Sequence, residues 1–207
     1  MRTRTEILDE IRNSPEIALL ANDIHSIIES ERVERERFYN LVHENVKAEL
    51  INGNIIFHSP VRGRHWMASS GLIGKLIPHV NANILGKVGI EKVIIRLTRN
   101  DYEPDIVFFR KEKAVNFTGN QLIFPAPDFI VEILSEFTEA YDRGDKLLDY
   151  AAHGVEEYWI IDPENRAVEK YLLKNGYYQI AEKLHNGGIA STVILGFEID
   201  LQEIFGA

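Results

Sequence analysis

The sequence predicts a mixed α/β fold of the α+β kind, a sheet with helices packed against it, preceded by an N-terminal helical extension. Three observations lead there. The apolar periodicities run as helices, then several strands, then one helix, then more strands. An Asn-Gly pair stands between two short apolar runs, which is the strongest short-range hairpin signal. Two almost wholly apolar strand-like runs each contain a single carboxylate. The chain has 207 residues, 45% hydrophobic and 27% charged, enough to bury one substantial core and too apolar for a disordered chain.

Each element follows from local pattern. Ser14-Pro15 supplies an N-cap and a first-turn proline ahead of Ile17, Leu20, Ile24, Ile27 and Ile28, whose spacing of three and four predicts an amphipathic helix. Charges alternate in sign over residues 31–37, with Glu31 and Arg35 spaced as an i,i+4 pair, and Phe38, Leu41, Val42 and Asn45 continue the helical stripe. A solvated helix face explains that run better than a coiled coil, because the heptad is not sustained. Residues 49–57 predict a hairpin around Asn52-Gly53. A helix is expected over residues 67–83, with Leu72, Leu76, Ile77 and Val80 on one side, before the punctuation of Gly86 and Gly89. Strands follow at residues 92–97, 104–109 and 128–134, then a helix at 142–152 closed by Gly154. Further strands at 157–161, 168–173 and 177–181 are joined by turns at Asp162-Pro163-Glu164-Asn165 and Lys174-Asn175-Gly176. No internal repeat or flexible linker interrupts the order, and the expected division is a helical extension over 1–46 and a sheet domain over 47–207.

Composition narrows the chemistry. The chain has no cysteine, which excludes disulfides, thiolate zinc sites and cysteine nucleophiles together. Charges interrupt residues 1–13, so no apolar core of a signal peptide is present, and no apolar run approaches the roughly 18 residues of a membrane span. A cytoplasmic protein without membrane partners is expected. The balance of 23 basic against 32 acidic residues, net −9, argues against a protein that coats nucleic acid non-specifically. It is compatible with an enzyme that gathers carboxylates around a cation.

The carboxylates that draw notice are Asp105, which opens the apolar run Ile106-Val107-Phe108-Phe109, and Glu132, which sits within Phe129-Ile130-Val131-Glu132-Ile133-Leu134. Alternation puts Glu132 on the face of Ile130 and Leu134. A lone ionised acid in such surroundings neutralises, whereas two acids side by side remain anionic around a divalent cation, and magnesium suits such hard oxygens. Lys146 follows on the next predicted helix, where it can aim an ammonium at both acids. Two carboxylates, a divalent metal and a lysine that orients or deprotonates water satisfy the needs of phosphodiester hydrolysis.

These residues, with their neighbours, resemble the Uma2 family, a branch of the PD-(D/E)XK nuclease superfamily. The resemblance is carried in order by Ala48-Glu49-Leu50-Ile51-Asn52-Gly53, Arg64-His65, Pro104-Asp105-Ile106-Val107, Pro127-Asp128-Phe129-Ile130-Val131-Glu132-Ile133-Leu134-Ser135, Asp142 to Lys146, and the stretch from Tyr150 to Pro163 that contains Glu157-Tyr158-Trp159-Ile160-Ile161-Asp162. It implies a restriction-endonuclease-like core that cleaves nucleic acid, DNA by preference, with Mg2+ or, as a substitute, Mn2+. By the same resemblance Asp105 and Glu132 are the metal-binding and catalytic acids. The superfamily lysine stands two positions after the second acid. Leu134 occupies that place here, and Lys146 matches the lysine moved onto the following helix. Glu49 matches a further acidic catalytic position. A homodimer is plausible, since closed pairs are common and duplex DNA offers matching half-sites.

Other readings compete with this one. A nuclease-like module without activity is favoured by the charge of −9 and by Leu134, and a small-molecule phosphoesterase would need fewer basic residues. His65 with Arg62 and Arg64 forms a short basic stretch that either contacts phosphate or is ordinary surface. His43, His79 and His153 lack zinc-ligand spacing. Gly71-Leu72-Ile73-Gly74-Lys75-Leu76 lacks the spacing and hydroxyl of a phosphate-binding loop. Of Tyr158 and Trp159, alternation makes one a core residue, and Trp159 is the expected one.

Overall fold

The computed structural model describes residues 4–42 and 47–206. In chain order the elements are α1 (Arg4–Asn13), α2 (Ile17–Leu41), β1 (Ala48–Ile51), β2 (Asn54–Phe57), α3 (Gly63–Ala82), β3 (Gly86–Ile90), β4 (Ile94–Arg96), β5 (Asp101–Tyr102), β6 (Ile106–Arg110) and α4 (Lys111–Ala114). They continue as β7 (Ile123–Phe124), β8 (Phe129–Ile133), α5 (Glu139–Asp142), α6 (Asp145–Ala152), β9 (Glu157–Asp162), β10 (Ala167–Lys174), β11 (Tyr177–Leu184), β12 (Gly188–Ala190), β13 (Glu198–Asp200) and α7 (Leu201–Phe205).

A six-stranded sheet, β11-β10-β9-β8-β6-β3, forms the centre, with β8 and β9 parallel and its other neighbours antiparallel. Helices or strands cover both of its faces, so its central strands run mostly apolar instead of alternating with polar residues, with Glu132 in β8 and Glu157 in β9 as buried exceptions. Phe129, Val131 and Ile133 of β8 and Trp159 and Ile161 of β9 face Ala68, Leu72, Leu76 and Val80 of α3 and Leu201 and Ile204 of α7. Ile130, Leu134, Tyr158 and Ile160 face the other way, against Tyr150 of α6 and Ile51, Ile95 and Tyr102 of a smaller sheet ordered β2-β1-β5-β4-β7. Tyr158 is therefore as buried as Trp159, because alternation here chooses between two cores and not between core and solvent.

The hairpin forms as its sequence requires. Asn52 and Gly53 both take positive φ, and β1 pairs with β2 antiparallel from Ala48↔Phe57 to Ile51↔Asn54. The expected helix 142–152 is instead two pieces, α5 and α6, broken at Gly144. The helix expected after Ser14-Pro15 begins at Ile17, two residues later than a Ser14 cap implies, because Ser14 Oγ accepts from Glu16 N–H in a turn that separates α2 from α1, a helix that the sequence pattern did not resolve. Asn45, His43 and the division at residue 46 lie outside the described residues.

The C-terminal part of α2 is fastened to the smaller sheet. Phe38 is buried with Ala48 and Leu50, while Arg35 and Tyr39 donate to opposite oxygens of buried Asp101, each at 2.7 Å. Among the described residues, no helix is long and apolar enough to cross a membrane.

Two glycines on α3 make opposite predictions. A Cβ at Gly71 would stand 2.3 Å from the carbonyl oxygen of Glu203 and 2.7 Å from that of Ile204, so this glycine sets how closely α3 packs on α7. Gly74 faces open space. Gly71→Ala is expected to destabilise by about 1–3 kcal/mol through overpacking, and Gly74→Ala to stabilise by roughly 0.5–1 kcal/mol through helix propensity. Urea denaturation of both variants reads the difference.

Candidate active site

The hairpin, two adjacent strands of the large sheet and α6 converge on one buried group of charges. Extending the β6–β8 register of Ile106↔Val131 by one step sets Asp105 opposite Glu132. Asp105 is fixed there by the backbone, accepting from the Ile133 N–H at 2.8 Å. Glu49 enters from β1, accepting from the Glu103 N–H at 2.9 Å. Lys146 enters from the first turn of α6, where its ammonium lies 3.0 Å from an oxygen of each of Glu49, Glu132 and Asp142. The sequence thus places Glu49, Asp105, Glu132 and Lys146 in one site, and the helix carrying Lys146 does aim it inward.

The neighbours to which pattern alone gave no place in this cluster are Lys47, His58, Asp142 and Tyr150, while His65, read with Arg62 and Arg64 as a phosphate contact or ordinary surface, lies against Asp105. Lys47 Nζ is 3.1 Å from Asp105 Oδ1 and His65 Nε2 is 3.2 Å from Asp105 Oδ2. His58 Nε2 is 3.2 Å from Glu49 Oε2. Tyr150 donates to Glu132 Oε1 at 2.8 Å. His65 Nδ1 is buried with no hydrogen-bond partner. A signal existed for His65 in the run Arg62-Gly63-Arg64-His65 at the start of a helix, but Lys47 and His58 merely flank a hairpin, and nothing local marks them.

The electrostatics separate the two metal-candidate acids. Burial works to raise Asp105, yet His65, Lys47 and the Ile133 N–H together hold it well below the ordinary carboxylate range. Glu132 goes the other way: burial, helped by the negative charges of Asp142, Asp105 and Glu49, pushes it up to about 8 against the pull of Lys146. Glu49 settles at about 2, since Lys146 and His58 outweigh its burial. Burial disfavours the Lys146 ammonium, but three carboxylates overcome that and hold its pKa well above the ordinary lysine value. Lys146 is therefore a fixed positive charge. Carboxylates whose surroundings drive their proton affinities apart are a hallmark of acid and base roles in one site.

Asp105, Glu132, Lys146, Lys47 and His65 all line a cleft of about 270 Å³. Its chemistry suits a hard divalent cation, because two carboxylates on adjacent strands supply oxygen ligands and excess negative charge. Among the described residues, no group of three or more His, Asp or Glu side chains is arranged to hold a metal unaided. Magnesium commonly takes one or two protein carboxylates and completes its shell with water and substrate phosphate.

The position of α6 depends in turn on Arg143, which makes a two-pronged contact with Glu169 of β10 at 2.7 and 3.2 Å. Burial raises Glu169, but Arg143, Lys183 and Tyr171 outweigh it and bring it to about 2, below the ordinary 4.5. A depressed folded-state pKa stabilises fully above about 4.5 and loses that contribution as pH falls toward 2. Glu169→Gln should therefore cost on the order of 1–3 kcal/mol at pH 7, and the gap from wild type should close as the pH of urea titrations is lowered from 4.5 toward 2.

Comparison with known proteins bears on the fold and the family. A solved structure described as a "putative nuclease belonging to DUF820", from Anabaena variabilis, superposes with a TM-score of 0.70 at 20% identity, covering 82% of this chain and 96% of that one. The two share a fold. No curated protein matches the sequence. Residues 35–202 match the model of a family described as "Putative restriction endonuclease". With a core of mixed sheet and flanking helices and with most of its length inside that match, the chain belongs to the Uma2 family.

Proposed function

We propose that this protein is a magnesium-dependent endonuclease of the cytoplasm that hydrolyses phosphodiester bonds in DNA, with residues 47–207 as its catalytic part. The observation that carries the reading is the meeting of Asp105, Glu132, Glu49 and Lys146 in one buried cluster open to a cleft. Asp105 and Glu132 would hold the cation, which when bound supplies Lewis-acid polarisation of the phosphate and an acidified water. Manganese is the natural substitute for magnesium at such oxygens.

The chain's own residues do the remaining work. Ile133 N–H, Lys47 and His65 keep Asp105 anionic and oriented. Lys146 holds Glu132 and Glu49 in place and presents positive charge to the pentavalent phosphoryl group. Its raised pKa favours orienting water and stabilising charge over taking a proton from that water. Removing a preorganised charge of this kind commonly costs about a hundredfold or more in rate.

Protomer pairing belongs to the same proposal. Ile7 and Leu8 of α1 and Ile17, Ile24, Ile27 and Ile28 of α2 stand 44–55% exposed on the N-terminal helices, and apolar surface gathered in this way marks interaction sites. A second copy of these helices would cover it.

Two experiments test these statements. Supercoiled plasmid and single-stranded circular DNA are incubated with wild type, Asp105→Ala and Lys146→Ala in magnesium, manganese or EDTA. Cleavage should require the metal and fall by about a hundredfold or more in each folded variant, whereas equal cutting by the variants, or cutting in EDTA, would remove the assignment. For pairing, light scattering after gel filtration should give a dimer for wild type and a monomer for Ile24→Glu with Ile28→Glu. A monomeric wild type refutes the pairing.

A further inference from the structure

We infer that the cleft accepts a single nucleic-acid strand, or an unpaired stretch of one, and grips its bases between Phe57 and Phe137; this specifies the substrate of the nuclease reading and rests on it. Three observations lead to the inference. The reacting groups lie deep: Glu49, Asp105, Glu132 and Lys146 are each no more than 6% exposed. The cleft above them has about 270 Å³, close to one nucleotide and at the small end for ligand sites. A duplex could bring only a backbone phosphate to such a slot, whereas an unpaired strand can bring a phosphate together with the face of a neighbouring base.

Two large rings also line the cleft and stand out of it. Phe57, the last residue of β2, is 61% exposed, and Phe137, in the segment between β8 and α5, is 76% exposed. Neither ring belongs to the hydrophobic clusters of the core. Exposed aromatic rings beside a phosphate-sized site are what single strands use, because every base has a face to stack and a duplex hides those faces.

The charges at the mouth agree. Arg62 pairs with Glu136 at 2.7 Å and Arg64 with Glu164 at 3.2 Å, so ion pairs tie the start of α3 to the segment between β8 and α5 and to the β9–β10 turn. All four side chains are at least 43% exposed, and pairs so exposed contribute little, which leaves both arginines free to exchange carboxylate for phosphate. Two arginines suit a short strand. A long duplex track would call for a broad basic surface, which a chain of net charge −9 does not favour.

Fluorescence anisotropy with wild type, Phe57→Ala, Phe137→Ala and the double variant tests the inference. The probes are a labelled 12-nucleotide thymidine strand, its uridine counterpart and a 12-base-pair duplex, with calcium replacing magnesium so that binding is read without cutting. A single strand should bind at least about tenfold more tightly than duplex, and each ring deletion should weaken it by about tenfold with duplex binding unchanged. The thymidine and uridine strands distinguish DNA from RNA within this reading. Equal or tighter binding of duplex, no binding of either strand, or ring variants that bind as wild type would overturn it. Metal-dependent plasmid cleavage alongside separates the two levels: duplex cutting that ignores both rings sinks the strand inference and leaves the nuclease reading standing, whereas an inert protein sinks the latter.

Discussion

The site depends on one buried ammonium. Lys146, 2% exposed, is held by Glu49 from the hairpin, Glu132 from the large sheet and Asp142 from the end of α5. An ion taken from water carries a desolvation cost of several kcal/mol, and only close, multiple contacts offset it. Three carboxylates at 3.0 Å meet that condition. Because each comes from a different part of the chain, satisfying Lys146 brings the smaller sheet, the large sheet and the α5–α6 junction to a common point. The positive charge that fastens these pieces also limits the repulsion among acids that a cation-binding site requires.

Function and stability conflict here. Glu132 is raised to about 8 by burial and by its acidic neighbours against the pull of Lys146, so its ionised form is disfavoured in the cluster. Crowding acids in this way is costly in a sheet core, where Glu132, between Ile130 and Leu134, is tolerated through its contacts with Lys146 and Tyr150. Under the proposed function an external cation would relieve that cost.

Much of this was legible in the sequence, for physical reasons that differ by element. The Asn52-Gly53 hairpin was readable because only residues tolerant of positive φ make that turn. Strands β6 and β8 were readable because a doubly covered sheet demands unbroken apolar runs, and Glu132 was conspicuous because it broke one. Strand β3 was not readable: Gly86 and Gly89 look like punctuation, but a Cβ at Gly86 would lie 2.0 Å from the Phe109 carbonyl oxygen and one at Gly89 would meet Val93 and Val107, so both glycines permit close packing. Strands β5 and β7 are two residues each and owe their form to neighbours, as do β12, β13 and α7. In the site, acids inside apolar runs announced themselves, Lys146 was the cation on the next predicted helix, which the family resemblance then matched, and Glu49 came through that resemblance alone. Lys47, His58 and Tyr150 did not, because a lysine beside a hairpin or a tyrosine on a helix becomes functional only through contacts distant in sequence.

The most direct measurement is calorimetric titration of the folded protein with manganese, comparing wild type with Asp105→Asn and Glu132→Gln. The account predicts saturable binding to wild type, accompanied by proton release near pH 7 as Glu132 ionises, and a loss of about tenfold or more in affinity in each variant. Wild type that binds no divalent cation, or variants that bind it as tightly as wild type does, would contradict the claim that these two acids form the metal site.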